Sequence, residues 1–379
     1  MHANGTIEET TQRNGVYEQT MINALTISGF KGFVELELPH LSRITLLGGR
    51  NNAGKTSVLE ALFTLFDRLN PQMMLRQYAW RNVETLPLDP ASVWSPFFTG
   101  YDLTRDIWFH AVINGRRERM ALRFDPNYSP QTITAEPLLL GSSIPQIQTD
   151  SPVGTTASLD IHYQVEGYPE QLSHITLRGN TLQYTAENVD VFSPHLVAII
   201  GTRIPESQNE LATRFGQLDI VGRQDVIVDF LRIMEPDLKS LTVIANGNLS
   251  MVYGDVGLRR KIPISYMGDG MFRLLTIITY MATMPGGILL IDEIENGIHH
   301  SVMSQVWAAI AGASRVLDCQ VIATSHSYEC LQAAVQGLEG ESEKDFSYIR
   351  LDKRAGNVTA KRFDYALLEA ALASNLEVR

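Results

Sequence analysis

The sequence predicts an α/β protein whose core is interrupted by a β-rich insertion lobe and a helical lobe. Three observations predict it. A strand, a glycine-rich loop and a helix follow one another near the N-terminus, helices alternate with buried strands from Lys261 onward, and a long stretch between them alternates apolar and polar residues. The 379 residues are 44% hydrophobic and 19% charged, enough to bury a sizeable core, which excludes a mostly disordered chain. A formal charge of −11, from 42 acidic and 31 basic residues, counts against a life spent mainly on nucleic-acid phosphate, although a local basic patch can sit inside an acidic total. Two cysteines, Cys319 and Cys330, make neither a disulfide framework nor a zinc cluster and fit a reducing cytosol. No apolar run reaches membrane-spanning length and no secretory signal opens the chain, so a cytoplasmic protein with no membrane contact is expected.

In chain order, residues 1–20 are polar and read as a flexible leader. Ala24–Phe30 and Val34–Leu38 alternate as half-buried strands do, and Ile44–Leu47 is a short apolar strand. Lys55–Leu69 has helical spacing, with Val58, Leu59, Leu62, Phe63, Leu65, Phe66 and Leu69 three and four apart. These elements make residues 21–78 the first part of the core. Residues 79–190 read as the β-rich lobe: Ile107–Ile113 leads to Asn114-Gly115, a hairpin-turn signal, and Met120–Phe124 leads away. A second meander runs through Ile161–Val165, Ile175–Leu177 and Leu182–Tyr184, with a loop at Gly141–Thr156. Residues 191–260 read as the helical lobe, entered by the strand-like His195–Ile200. Residues 261–379 complete the core, with helices at Gly270–Thr283 and Ser301–Val316, strands at Gly287–Ile291 and Gln320–Thr324, and a final hairpin and short helix. No repeat or heptad stretch occurs, so no long coiled-coil arm is expected.

Four motifs carry chemistry. Gly49-Arg50-Asn51-Asn52-Ala53-Gly54-Lys55-Thr56, followed by Ser57, is a complete phosphate loop between a strand and a helix. Its glycines let consecutive N–H groups converge on phosphate oxygens, and the helix N-terminus adds a favourable dipole. Lys55 is the cation for the β- and γ-phosphates, and the Thr56 hydroxyl suits Mg²⁺. The apolar run Gly287–Ile291 delivers Asp292 and Glu293 to a strand end, Asp292 for Mg²⁺ and Glu293 as general base for the attacking water. Ser265-Tyr-Met-Gly268-Asp269-Gly270 opens a helix as a second anion cradle. One nucleotide does not need two cradles in one chain, so this one is expected to close on the γ-phosphate held by a second subunit. His326, after the strand Gln320–Thr324, is placed to hydrogen-bond a γ-phosphate oxygen.

The set and its order resemble the ABC-type ATPases, in particular the branch with the SMC, RecF and OLD (overcoming lysogenization defect) proteins. The likeness covers residues 22–70 and 260–330. It implies an ABC-ATPase-type P-loop core, ATP and Mg²⁺ as cofactors, and a dimer or higher even-numbered homo-oligomer. In family terms Gly49–Thr56 is Walker A, Ser265–Gly270 the signature, and Asp292-Glu293 the end of Walker B. Asn296–His299 occupies the D-loop position and His326 is the switch histidine. The Phe30-Lys31-Gly-Phe33 stretch is similar to the strand start of OLD-like ATPases, which implies Lys31 near the nucleotide. The Gly-Asp-Gly signature argues against a transporter subunit. Stand-alone ATPases of this kind resemble sensor or scaffold subunits of bacterial anti-phage systems, which implies a separately encoded effector such as a nuclease. The rival readings are a RecF- or SMC-like DNA clamp and a scaffold that hydrolyses ATP very slowly or not at all.

Other signals carry less. Gln72 and Gln77 lie close behind the phosphate-loop helix, where a surface position is open to both, and neither is taken as the Q-loop glutamine. His299 and His300 are expected to diverge and not to share a metal. Arg116, Arg117 and Arg119, and Arg259, Arg260 and Lys261, read as solvated faces. The sequence contains no Asp-x-Asp pair, and 53 residues follow His326, so nuclease chemistry is expected from another polypeptide.

Overall fold

The computed structural model describes residues 20–81, 83, 85–86, 89–128, 146–147, 157–178, 181–187, 195–201, 207–374 and 376–378. The expected leader, except Thr20, and the expected loop Gly141–Thr156, except Gln146 and Ile147, lie outside the described residues.

The chain opens with the hairpin of β1 (Ile22–Phe30) and β2 (Phe33–Leu38), then β3 (Ile44–Gly48), α1 (Lys55–Phe66) and α2 (Met73–Trp80). Next come β4 (Thr85–Leu86), α3 (Pro90–Trp94), β5 (Ile107–Ile113), β6 (Arg116–Asp125) and β7 (Gln146–Ile147), which pairs with β4. The strands β8 (Ser158–Val165), β9 (Gln171–Arg178) and β10 (Thr181–Glu187) complete the meander. After β11 (Val197–Ile200) lie α4 (Gln208–Ile220), α5 (Gln224–Leu231), β12 (Ser240–Asn246), β13 (Leu249–Asp255) and β14 (Ile262–Pro263). The remainder alternates: α6 (Asp269–Thr283), β15 (Ile288–Ile291), α7 (Met303–Val316), β16 (Gln320–Thr324) and α8 (Tyr328–Gly337). It ends with β17 (Phe346–Arg354), β18 (Asn357–Asp364) and α9 (Tyr365–Ala373).

One sheet runs β11-β15-β16-β3-β17-β18, parallel except for the last strand. Both faces are covered, as an all-apolar run such as Ile288–Ile291 requires. Adjacent residues therefore enter different cores: Leu46 and Leu289 pack with α6 and α7, whereas Leu47 and Leu290 pack with α1. The second sheet is antiparallel, in the order β10-β9-β8-β6-β5-β1-β2. The β-rich strands do not stand apart from the N-terminal hairpin; β5 pairs with β1 and the meander extends that sheet. Its apolar face, with Leu25, Ile27, Phe109 and Met120, closes over α1.

Thus α1 lies between two sheets, and every residue from Val58 to Phe66 is buried. Its sequence spacing suggests one apolar face, but Glu60 and Thr64 on the other face are buried too. Apolar patterning records one covered side and does not register a second sheet that covers polar residues through ion pairs.

Within residues 191–260, strands flank the helices, and the strand-like His195–Ile200 contains β11. β11 belongs to the parallel core sheet beside β15. β12 and β13 form a hairpin across Gly247-Asn248, with Gly247 at φ 61°, and pack on α4. A two-residue turn of this type between strands is a sequence signal that the helical spacing nearby overshadowed. Among the described residues no helix is long and apolar enough to cross a membrane.

Candidate nucleotide site

The phosphate loop connects β3 to α1 and is gripped from both sides. Gly49 has φ 129°, and a Cβ there would stand 2.4 Å from the Leu351 carbonyl oxygen. Gly54 has φ 97°, and its Cβ would stand 2.7 Å from the Phe33 ring. Only glycine satisfies both the backbone conformation and the close approach. Arg50, Asn51 and Asn52 are exposed at the rim, Ala53 is buried beneath them, and Ser57 is half-buried on the first turn of α1. The Lys55 ammonium folds over the loop, donating to the Gly49 carbonyl at 2.7 Å and the Arg50 carbonyl at 3.2 Å. Burial lowers the Lys55 pKa, against the opposing pull of Asp292, Glu293 and Glu295.

Asp292 follows β15 and is 8% exposed. The Thr56 hydroxyl donates to both its oxygens, at 3.0 and 3.1 Å, and the buried Thr324 hydroxyl donates to Oδ1 at 2.7 Å. Thr324 Oγ1 also accepts the Glu293 N–H at 2.8 Å, and its carbonyl accepts the Ile294 N–H at 3.0 Å. These bonds hold Glu293 at φ 46°, a left-handed conformation costly for a side chain this size. The clamp keeps Asp292 against Thr56 while the Glu293 side chain is 43% exposed. A hydroxyl and a carboxylate converging in this way are hard oxygen donors that fit Mg²⁺.

His326 lies just past β16. Its Nδ1 is 3.2 Å from Glu295 Oε1 and 3.8 Å from Glu293 Oε1. The structure therefore brings Lys55, Thr56, Asp292, Glu293 and His326 to one end of the parallel sheet, where open α/β sheets hold ligands.

Ser265, Gly268, Asp269 and Gly270 lie elsewhere, on a corner packed with β13 and α6. Ser265 is in a 3-10 turn, and Gly268, at φ 105°, precedes the first turn of α6 without a side-chain cap. Gly268 and Asp269 are exposed, and Tyr266 beside them is 82% exposed.

The Lys31 ammonium, expected near the nucleotide, pairs with the buried Glu60 of α1 and donates to Gln77 at 2.8 Å. Burial lowers its pKa to about 8, against the pull of Glu60. Gln77 is no surface residue; it is 1% exposed and donates to Thr64 at 2.7 Å. His299 and His300 do not diverge, their ring centroids being 4.2 Å apart, because His299 sits before the 3-10 turn and accepts from the Ser301 N–H there. Sequence reasoning also passed over Thr324, Glu295 and Arg273. An acid two residues beyond Glu293 was a visible signal for Glu295. Nothing local pointed to Arg273, 19 residues from the Asp292 carbonyl that its Nη2 approaches at 3.5 Å.

A parallel sheet, a phosphate loop and a carboxylate-bearing neighbouring strand define a P-loop nucleoside-triphosphatase core. The chain belongs to the family described as "AAA domain, putative AbiEii toxin, Type IV TA system", which residues 44–331 match. It is similar to an ATP/GTP phosphatase of Helicobacter pylori, 22% identical over 345 residues that cover 86% of this chain and 90% of that protein. An uncharacterized protein of Methanocaldococcus jannaschii, MJECL10, is 38% identical over 72 residues, 17% of this chain and 31% of that one. Among solved structures, an SMC head bound to the C-winged helix domain of ScpA covers 93% of this chain and 99% of its own, at 13% identity and TM-score 0.48. The SMC head domain from Thermotoga maritima covers 90% and 99%, at 13% identity and TM-score 0.44.

Proposed function

We propose that this chain is an Mg²⁺-dependent ATPase that closes around ATP as a dimer and acts as an ATP-gated sensor or scaffold for a separately encoded effector in bacterial anti-phage defence. The observation that carries the hydrolytic part is the Thr324 clamp, which holds Asp292 on Thr56 while leaving Glu293 open to solvent. The family membership and the ATP/GTP phosphatase relative of Helicobacter pylori support the same chemistry.

In this reading the loop N–H groups and Lys55 bind the phosphates, Lys55 exchanging the Gly49 and Arg50 carbonyls for phosphate oxygens. Thr56 and Asp292 hold Mg²⁺, which supplies charge neutralisation when bound. Glu293 orients the attacking water and takes its proton, and His326 lies beside that carboxylate. Ser265, Gly268, Asp269 and Gly270 act on the γ-phosphate of the partner's site, an assignment supported by the exposure of Gly268 and Asp269 and by the uncapped start of α6. Loss of the γ-phosphate removes the link between subunits, so turnover shifts the population from closed to open assemblies.

Steady-state phosphate release from the wild type and Glu293→Gln tests this. The substitution keeps size and hydrogen bonding but removes the base. Turnover should fall by about a hundredfold or more, ATP should remain bound, and a larger species should accumulate in light scattering. Unchanged turnover removes Glu293 from the mechanism.

A further inference from the structure

We propose that Glu295 is a positioning residue that sets the orientation and tautomer of His326; the proposal rests on the ATPase reading above. Glu295 follows the Asp292-Glu293 pair and its side chain is 14% exposed. Its Oε1 accepts from the Ser325 hydroxyl at 2.8 Å and from the His326 backbone N–H at 2.9 Å. The same oxygen lies 3.2 Å from His326 Nδ1. One oxygen thus gathers the hydroxyl, the backbone and the ring of two successive residues: the hydroxyl and backbone bonds fix the carboxylate beside His326, and its contact with Nδ1 orients the ring.

A carboxylate only accepts, so the nitrogen facing Glu295 carries the hydrogen. That leaves Nε2, on the opposite edge of the ring, as the nitrogen available to a ligand. In the neutral ring Nε2 accepts, which suits a hydrogen bond from the attacking water. A phosphate oxygen can be its partner only when the ring is doubly protonated. The division of labour follows: Glu293 and His326 address the water, and Glu295 touches neither water nor phosphate.

Among the described residues, the other oxygen, Oε2, is buried and accepts no hydrogen bond, and the buried Nε of Arg273 on α6 donates none. Arg273 is held down by burial, with Asp292 and Glu295 offsetting it. A glutamine at 295 would therefore place its carbonyl where Oε1 is and its amide where no bond is accepted. An alanine would lose all the bonds to Ser325 and His326.

The test measures steady-state phosphate release, ATP KM and thermal unfolding for full-length wild type, Glu295→Gln, Glu295→Ala, His326→Ala and the Glu295→Ala/His326→Ala double variant. A misplaced reacting group costs up to about a hundredfold, so Glu295→Ala should lower kcat on that scale with KM within about twofold. Glu295→Gln should retain most of the wild-type kcat. The double variant should be no slower than His326→Ala, because the carboxylate has nothing left to position. If Glu295→Ala does not fold, with Arg273 left beside one carboxylate fewer, Glu295→Met fills the volume without an acceptor and takes its place. Wild-type kcat in the Ala or Met variant, multiplicative losses in the double variant, or a Gln variant as slow as Ala would each overturn the proposal. Absence of phosphate release from the wild type would instead remove the ATPase reading, and this inference with it.

Discussion

At Thr324 one hydroxyl does two jobs: it donates to Asp292 and accepts from the Glu293 backbone. Thr324→Val keeps the shape and loses both bonds, leaving the Glu293 N–H without that acceptor. We expect a cost of about 1–3 kcal/mol in urea unfolding and a drop in phosphate release larger than stability explains, since Glu293 would relax from φ 46°. Full turnover in Thr324→Val would show that the clamp is dispensable. Lys31 makes a pH prediction. Its folded pKa, about 8, lies below the ordinary 10.5, so the unfolded chain binds the extra proton between those values. The burial penalty is therefore fully present below pH 8 and is relieved as pH rises from 8 toward 10.5. The stability difference between wild type and Lys31→Met should move in favour of wild type across that window; a flat difference in melting temperature would contradict it.

Among the elements, α1 links the site to the core, since it starts at the phosphate loop and runs between both sheets. Leu62→Ala should cost about 2–5 kcal/mol in urea unfolding, because neither sheet can collapse onto the space without disturbing the other. The corner before α6 makes a different demand. Ser265→Arg should leave the fold and ATP binding intact and abolish both turnover and the larger assembly of the Glu293→Gln background. Mixing Ser265→Arg with Lys55→Ala chains should restore turnover that neither shows alone, since a mixed pair holds one intact composite site. Failure to restore any would argue that the cradle serves its own chain.

On the scale of the whole molecule, the parallel sheet brings residues from three distant stretches, around Thr56, Asp292 and Thr324, to one end, while the corner before α6 carries the exposed Tyr266. Under the proposed composite site the chemistry would be divided between two surfaces, which would make assembly the control point. The DNA-clamp alternative is separable by its salt dependence: ATP-dependent DNA binding that weakens steeply with salt would favour it. ATP-dependent capture of a second protein in its place would favour the scaffold.

The phosphate loop, the Asp292-Glu293 strand end and the hairpin at Asn114-Gly115 were legible in the sequence because each is local. A glycine at a given φ, a carboxylate after an apolar run and a two-residue turn depend on neighbours in the chain. The duties of Thr324, Glu295, Arg273 and Lys31 were not, because each depends on a partner 29 to 32 residues away or on another layer. Spacing shows which face of a strand or helix is apolar. Only the stacking of one sheet on α1 and of α1 on the other decided that Lys31 pairs with Glu60, since an ion's partner inside a protein is chosen by what else is buried with it.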